Sequence, residues 1–343
     1  MDLTPLFPPA SAAPSSLGIP GSRWLATVFH VVQLLLAAAI ACAVPAQTWV
    51  QVTSNGPLAE ASLAFDTLHG QAVVTVVDGS YFKEYLYDSA TRSWSYNGTV
   101  PMNQRTLAAM TYDSVRDRIV LFGGRDTGFS VALDDTWERN GTTGTWTHVV
   151  TPQSPPARDT AAIAFDAARN RIVCFGGQRY NPSPFTLLND TWEYDGVTWS
   201  PVITPAVPPA GPATMTYDSS RGRMILCVGV ETWEYDGSVP SWTSVATVPS
   251  SGSGAIAYDP GRNRCVMCSS VDTLEYTAAT SQWTRVTGDP VGAGFGPGPD
   301  FMYYDPARAR CVLQPRAGRG EPADRAAGSR EHQARRPSTN VAH

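Results

Sequence analysis

Lysine is all but missing from this chain: Lys83 is the only one among 343 residues. Charged residues of all kinds make up 16% of it, against roughly one quarter in soluble domains, which excludes long solvent-facing amphipathic helices and coiled coils. Histidine is nearly as scarce, with only His69 and His148 between residues 47 and 313. No HExxH, GxSxG, P-loop or EF-hand pattern occurs, so the reactions those patterns announce have no foothold. No stretch interleaves basic with aromatic residues, and residues 47–313 carry 18 basic against 26 acidic side chains, which argues against nucleic acid as a partner.

Cysteine adds little chemistry. Cys174, Cys227, Cys265, Cys268 and Cys311 all lie in short apolar runs that read as buried strands, where cysteine behaves as a small hydrophobe. Cys265 and Cys268 form a CxxC, but three residues along a strand send the side chains to opposite faces. The sequence thus implies no metal site and no cofactor.

Glycine (29) and proline (28) are plentiful, which is too much turn chemistry for a helical protein of this length. Residues 25–44, LATVFHVVQLLLAAAIACAV, follow Arg23 and end in small residues, so 1–46 reads as a signal peptide cleaved near Ala43 or Ala46. An uncleaved N-terminal anchor is the alternative, since some twenty residues span a bilayer, and Cys42 offers a weak lipidation site. Either way the body is expected outside the cytoplasm, secreted or periplasmic if cleaved, membrane-anchored if not, with no membrane contact beyond that segment.

From residue 47 to 313 one unit recurs. An aromatic-Asp pair is followed by Arg-x-Arg or a variant, then an apolar strand ending in Gly-Gly, then Asp-Thr-Trp-Glu-Tyr-Asp-Gly and a closing Trp. MTYDSVRDRIVLFGG (110–124) with DDTWERNG (134–141) and IAFDAARNRIVCFGG (163–177) with NDTWEYDG (189–196) are the clearest copies. Asp66, Asp113, Asp166, Asp218, Asp259 and Asp305 stand 47, 53, 52, 41 and 46 residues apart. That step, holding four short strands, is the length of one propeller blade. Asp113, Asp166 and Asp218 are expected to begin tight turns, Gly123, Gly124, Gly176 and Gly177 to allow backbone angles or close sheet contacts, and Trp137, Trp192 and Trp233 to pack blades together.

The units resemble Kelch repeats, specifically the DTWEYDG variety of bacterial exported proteins, related to the central domain of galactose oxidase. The resemblance implies an all-β, Kelch-type β-propeller over 47–313. TWVQV at 48–52 looks like an outermost strand, and 301–313 supplies two inner strands, so six blade positions are expected, the last composite and one strand short. The tail 314–343 offers no apolar run and reads as disordered or aberrant. The family admits copper radical oxidases, which need two tyrosines, two histidines and a crosslinked cysteine; that site cannot be placed here, and neither can one for a sialic acid mutarotase.

Departures from a repeat are where binding is sought. Between the second and third strands blade two inserts RDTGFSVA (125–132) and blade three QRYNPSPFTL (178–187), while blade four has almost nothing. Arg125, Phe129, Arg179, Tyr180 and Phe185 are the candidate groove residues, aromatics for stacking on a sugar or peptide and arginines for carboxylates. The leading expectation is a noncatalytic exported propeller that binds a protein or glycan through this loop face. The alternative is a carbohydrate-active enzyme with Asp126, Asp134 or Glu231 as acid and base.

Overall fold

Six four-stranded antiparallel sheets and one two-stranded sheet make up the protein in a computed structural model that describes residues 48–51, 61–179, 185–249, 254–269, 272–286, 301–314 and 330–333. Blade one runs Ser62–Asp66, Gln71–Asp78, Tyr81–Asp88 and Ser93–Thr99 from the centre outward. Blades two to five repeat the order from Ala109–Asp113, Ala162–Asp166, Ala213–Asp218 and Ala255–Asp259. Each innermost strand lies beside those of its two neighbours, and the ring closes where Ser62–Asp66 meets Phe301–Asp305. The expected six-blade, all-β propeller is what the chain forms.

The closing blade corrects one expectation. Phe301–Asp305 and Arg310–Gln314 are followed by Arg330–Gln333, which pairs with the N-terminal strand Thr48–Gln51, so this composite sheet has its fourth strand. Backbone pairing needs no apolar pattern, so a polar REHQ segment escapes a search for DTWEY. Tyr180, the candidate export segment and the remainder of the tail lie outside the described residues. Among the described residues no helix is long and apolar enough to cross a membrane.

The second strand of each blade is apolar throughout because both of its faces are covered: Ile119, Val120, Leu121 and Phe122 are all at most 1% exposed. The seam between two blades is built on a recurring pattern. The aspartate that opens the first turn accepts backbone N–H groups on Oδ1 and an arginine on Oδ2, as in Arg169 Nε to Asp166 at 2.6 Å. The same arginine reaches the TWE glutamate of its own blade, Glu193, at 2.7 Å. That glutamate accepts a hydrogen bond from the next blade's tyrosine, Tyr235 Oη at 2.8 Å, whose ring lies 5.8 Å from the guanidinium. The closing tryptophan joins in as well: Trp199, Trp242 and Trp283 donate Nε1 to Thr136, Thr191 and Thr232 of the preceding blade at 2.8–2.9 Å. The first arginine of each pair thus bonds within its blade, while in this pattern the tyrosine and the tryptophan bond across to the preceding blade.

Blade one departs from this pattern, and blade two departs to match. Glu84 stands where blades two to five have threonine, Leu86 replaces the glutamate, and blade two has Arg139 where blades one, three, four and five have tyrosine. Without a glutamate to receive it, a tyrosine there would find no acceptor. Arg139 instead donates Nε to both oxygens of Glu84 at 3.0–3.1 Å, and Trp146 donates to Glu84 at 2.6 Å. Both charged side chains are at most 3% exposed, so this seam is closed by a buried ion pair.

Gly123 and Gly177 show why the Gly-Gly signature is fixed. Both have positive φ, 62° and 96°, and a Cβ would meet Arg158 O at 2.5 Å in one case and Asp159 O at 2.6 Å in the other. The glycines let the connector from blade two to blade three pass against the sheets.

Candidate functional site

Two arginines that no repeat motif singles out anchor the loop face. Arg105 and Arg158, each five residues ahead of an inner-strand residue (Met110 and Ile163), are at most 2% exposed and bind Asp135 and Asp190 through both terminal nitrogens. Each also donates to a glycine carbonyl, Gly123 or Gly176. Asp135 and Asp190 in turn accept Trp137 Nε1 and Trp192 Nε1 at 2.7 Å. Partial burial opposes ionisation of the two aspartates, but the guanidiniums outweigh it and hold both below the usual carboxylate range. A carboxylate depressed in the folded state stabilises above its unfolded pKa, near 3.8, and loses that contribution as pH falls through the folded value. The unfolding free energy is therefore expected to stay level from neutrality to about pH 5 and to drop below about pH 4, read by urea titrations across that range.

The described ends of both insertions are held in β-pairing. In blade three the second strand continues through a bulge at the glycines to Arg179, which pairs with Thr186. In blade two Arg125 and Asp126 pair with Thr106 and Arg105, and Arg125 bridges to Ala132. The connector carrying Asp159 lies between them. Asp159 and Gln178 exchange two backbone hydrogen bonds, and Asp159 Oδ2 accepts Arg125 Nε at 2.8 Å. Leu107 and Thr160, the residues at equivalent places in this connector and the preceding one, both take positive φ, 59° and 54°, a strained backbone for a leucine and a β-branched residue. Thr160 N donates to Leu107 O at 3.0 Å and ties the two together.

Against this frame the candidate groove residues separate. Arg125 is committed to the buried Asp159 carboxylate. Phe129 projects from a turn whose N–H groups are capped by Asp126 and is 81% exposed. Phe185 is 49% exposed. Arg179 is half-buried, and its Nε is enclosed without a hydrogen-bond partner. Of the candidate acids, Asp126 is 6% exposed and caps its own turn, Glu231 accepts Trp233 Nε1 at 2.7 Å, and Asp134 is exposed.

A central channel of about 650 Å³ runs between the innermost strands, ringed by Phe65, Tyr112, Phe165, Tyr217, Tyr258 and Tyr304. Among the described residues its lining holds no carboxylate, imidazole, guanidinium or amine. Burial, reinforced by neighbouring Asp166, pushes the Tyr217 phenol up to about 12, and burial raises Tyr258 and Tyr304 as well, so these phenols stay protonated at neutral pH. The five described cysteines are buried free thiols, with Cys174 and Cys227 pushed up to about 12 by burial.

One cluster has no counterpart among the sequence expectations. Asp66, His69 and Asp117 bring one carboxylate oxygen each and an imidazole nitrogen within 4.8 Å of one another on the face opposite the insertions. Its signal in the sequence is His69, which occupies the place held by Arg116, Arg169, Arg221, Arg262 and Arg308 in the other copies.

Comparison with known proteins supports the architecture. The profile of the KLHDC2/KLHL20/DRC7 Kelch-repeats domain matches residues 74–290. The solved structure of YjhT superposes with a TM-score of 0.60, covering 82% of this chain and 95% of that one at 12% identity, a likeness of fold. No curated protein sequence matches significantly. With well over half of its length inside the Kelch match and six blades closed into a ring, the chain belongs to the family of Kelch-repeat β-propellers.

Proposed function

We propose that this propeller is a noncatalytic, exported binding module that takes a protein or glycan ligand on the face carrying the insertions of blades two and three. The observation that carries the reading is Phe129, 81% exposed on a blade-two insertion whose Arg125 grips the same Asp159 connector that pairs with Gln178 of the blade-three insertion. An exposed aromatic gives a flat apolar surface for a sugar ring or side chain, and a guanidinium adds directional donors. The rigid blades beneath keep the ordering cost of binding small. Export is supported by residues 25–44, whose apolar run after Arg23 reads as a signal peptide or N-terminal anchor. An enzymatic reading has less support, because two of its three candidate carboxylates already serve structural hydrogen bonds.

The test uses the full chain on a glycan array and a peptide display library, followed by Phe129→Ala and Arg179→Ala. Each change is expected to weaken the selected ligand at least tenfold, as central interface residues do. Undiminished binding in the double variant would remove the insertions from the account.

A further inference from the structure

In five of the six blades a buried aspartate at the first turn is neutralised by a permanent cation three residues on. Arg116, Arg169, Arg221, Arg262 and Arg308 approach Asp113, Asp166, Asp218, Asp259 and Asp305 to 2.6–2.8 Å. Blade one keeps the aspartate, Asp66, with its side chain at 0% exposure, but supplies His69 instead. Leu86 has also replaced the glutamate that would hold the arginine's other end. The permanent positive charge has been removed from this turn alone.

A second carboxylate has been added at the same place. Asp117 of blade two, whose φ is 53°, occupies the left-handed turn position taken by Gly70, Asn170, Gly222, Asn263 and Ala309 in the other blades. Asparagine or glycine satisfies that backbone without charge, so the turn does not require an acid. Asp117 Oδ1 lies 3.8 Å from His69 Nδ1, and Asp66 Oδ2 lies 2.7 Å from the same nitrogen. Tyr112 Oη and Thr142 Oγ1 donate to Asp117, and the backbone N–H groups of Leu68 and His69 fix Asp66 through its other oxygen. Two oriented carboxylates and one imidazole therefore face a point where every other blade offers one carboxylate, already neutralised by a guanidinium.

From this we infer that Asp66, His69 and Asp117 form a divalent-cation site at the seam of blades one and two, selective for a metal of zinc type. Ligands bound at 2.0–2.2 Å in a tetrahedron stand about 3.4 Å apart, between the two separations found here. One imidazole nitrogen with two carboxylate oxygens suits Zn²⁺, and the partial exposure of His69 and Asp117, 32% and 21%, leaves water access to the remaining position. The hydrogen-bond donors on both aspartates act as the outer shell that orients ligands. The ion takes the place of the missing guanidinium and links blade one to blade two.

The full chain, stripped with chelator, is titrated with ZnCl₂ by calorimetry and its melting is followed with and without the metal. One site is expected, with Zn²⁺ raising the melting temperature. Asp117→Asn, which keeps size and backbone preference, is expected to weaken that site at least tenfold. His69→Arg combined with Leu86→Glu restores the pattern of the other blades; it is expected to abolish the site while the metal-free variant melts no lower than metal-free wild type. Absence of stoichiometric Zn²⁺ binding in the wild type, or unchanged affinity in both variants, overturns the site. Because Asp117→Asn alters no core contact, it decides the matter even if the double variant fails to fold.

Discussion

Glu84→Ala is expected to lower the unfolding free energy by about 3–5 kcal/mol in urea titrations, the largest single-residue effect in the molecule. The glutamate is 3% exposed and accepts Arg139 on both oxygens, Trp146 at 2.6 Å and Asn97. Its removal strands a guanidinium that is only 2% exposed, and Arg139 Nη1 already lacks a partner. An uncompensated buried charge is penalised far more than the pair itself contributes. Glu84→Thr with Arg139→Tyr and Leu86→Glu rebuilds the threonine–tryptophan and glutamate–tyrosine contacts of the seams between blades two and five, in which threonine receives the tryptophan and glutamate the tyrosine. This triple variant is expected to recover more than half of the loss. If Glu84→Ala changes stability by less than about 1 kcal/mol, the pair is no keystone of the seam.

Arg158→Met ranks second, at about 2–4 kcal/mol, because it removes charge-assisted hydrogen bonds to Asp190 together with those to Gly176 O and Pro156 O. The figure stays below that for Glu84 because the stranded partner, Asp190, is 39% exposed and can be hydrated. The consequence for function is separate from stability. Arg158 holds the connector on which both insertions rest, through Gly124 N to Arg158 O and the Asp159 bridge to Gln178. Hydrogen exchange at Gly124 and Gln178 is therefore expected to quicken in the variant before exchange in the inner strands does.

The sequence made blade number, blade boundaries and the composite closure legible, because aromatic-Asp, Gly-Gly and the closing tryptophan each occupy a position that geometry constrains. It also located the insertions, since a repeat exposes its own interruptions. Three features were hidden for physical reasons. Arg330–Gln333 closes its sheet by backbone pairing, which leaves no residue signature. Arg105 and Arg158 sit outside the repeated motif, in connectors of variable sequence, and only the fold brings them to Asp135 and Asp190. Glu84 and Arg139 are 55 residues apart, and their substitution away from threonine and tyrosine becomes meaningful once the two strands are known to face each other across a seam. Arg125 illustrates the opposite error of emphasis: an arginine in an insertion looks available for ligand, and the fold commits it to Asp159.

The central claim is that ligand binding resides in the two insertions and not in the channel or the repeated residues. Replacing residues 125–132 with the short turn of blade four, Gly229-Val230, removes Phe129 while leaving the four strands of blade two intact. Affinity for the array- or library-selected ligand, measured beside circular dichroism and melting of the same protein, is the direct test. The account predicts loss of binding with the β-sheet spectrum preserved; undiminished affinity in a folded variant would place the ligand elsewhere on the propeller.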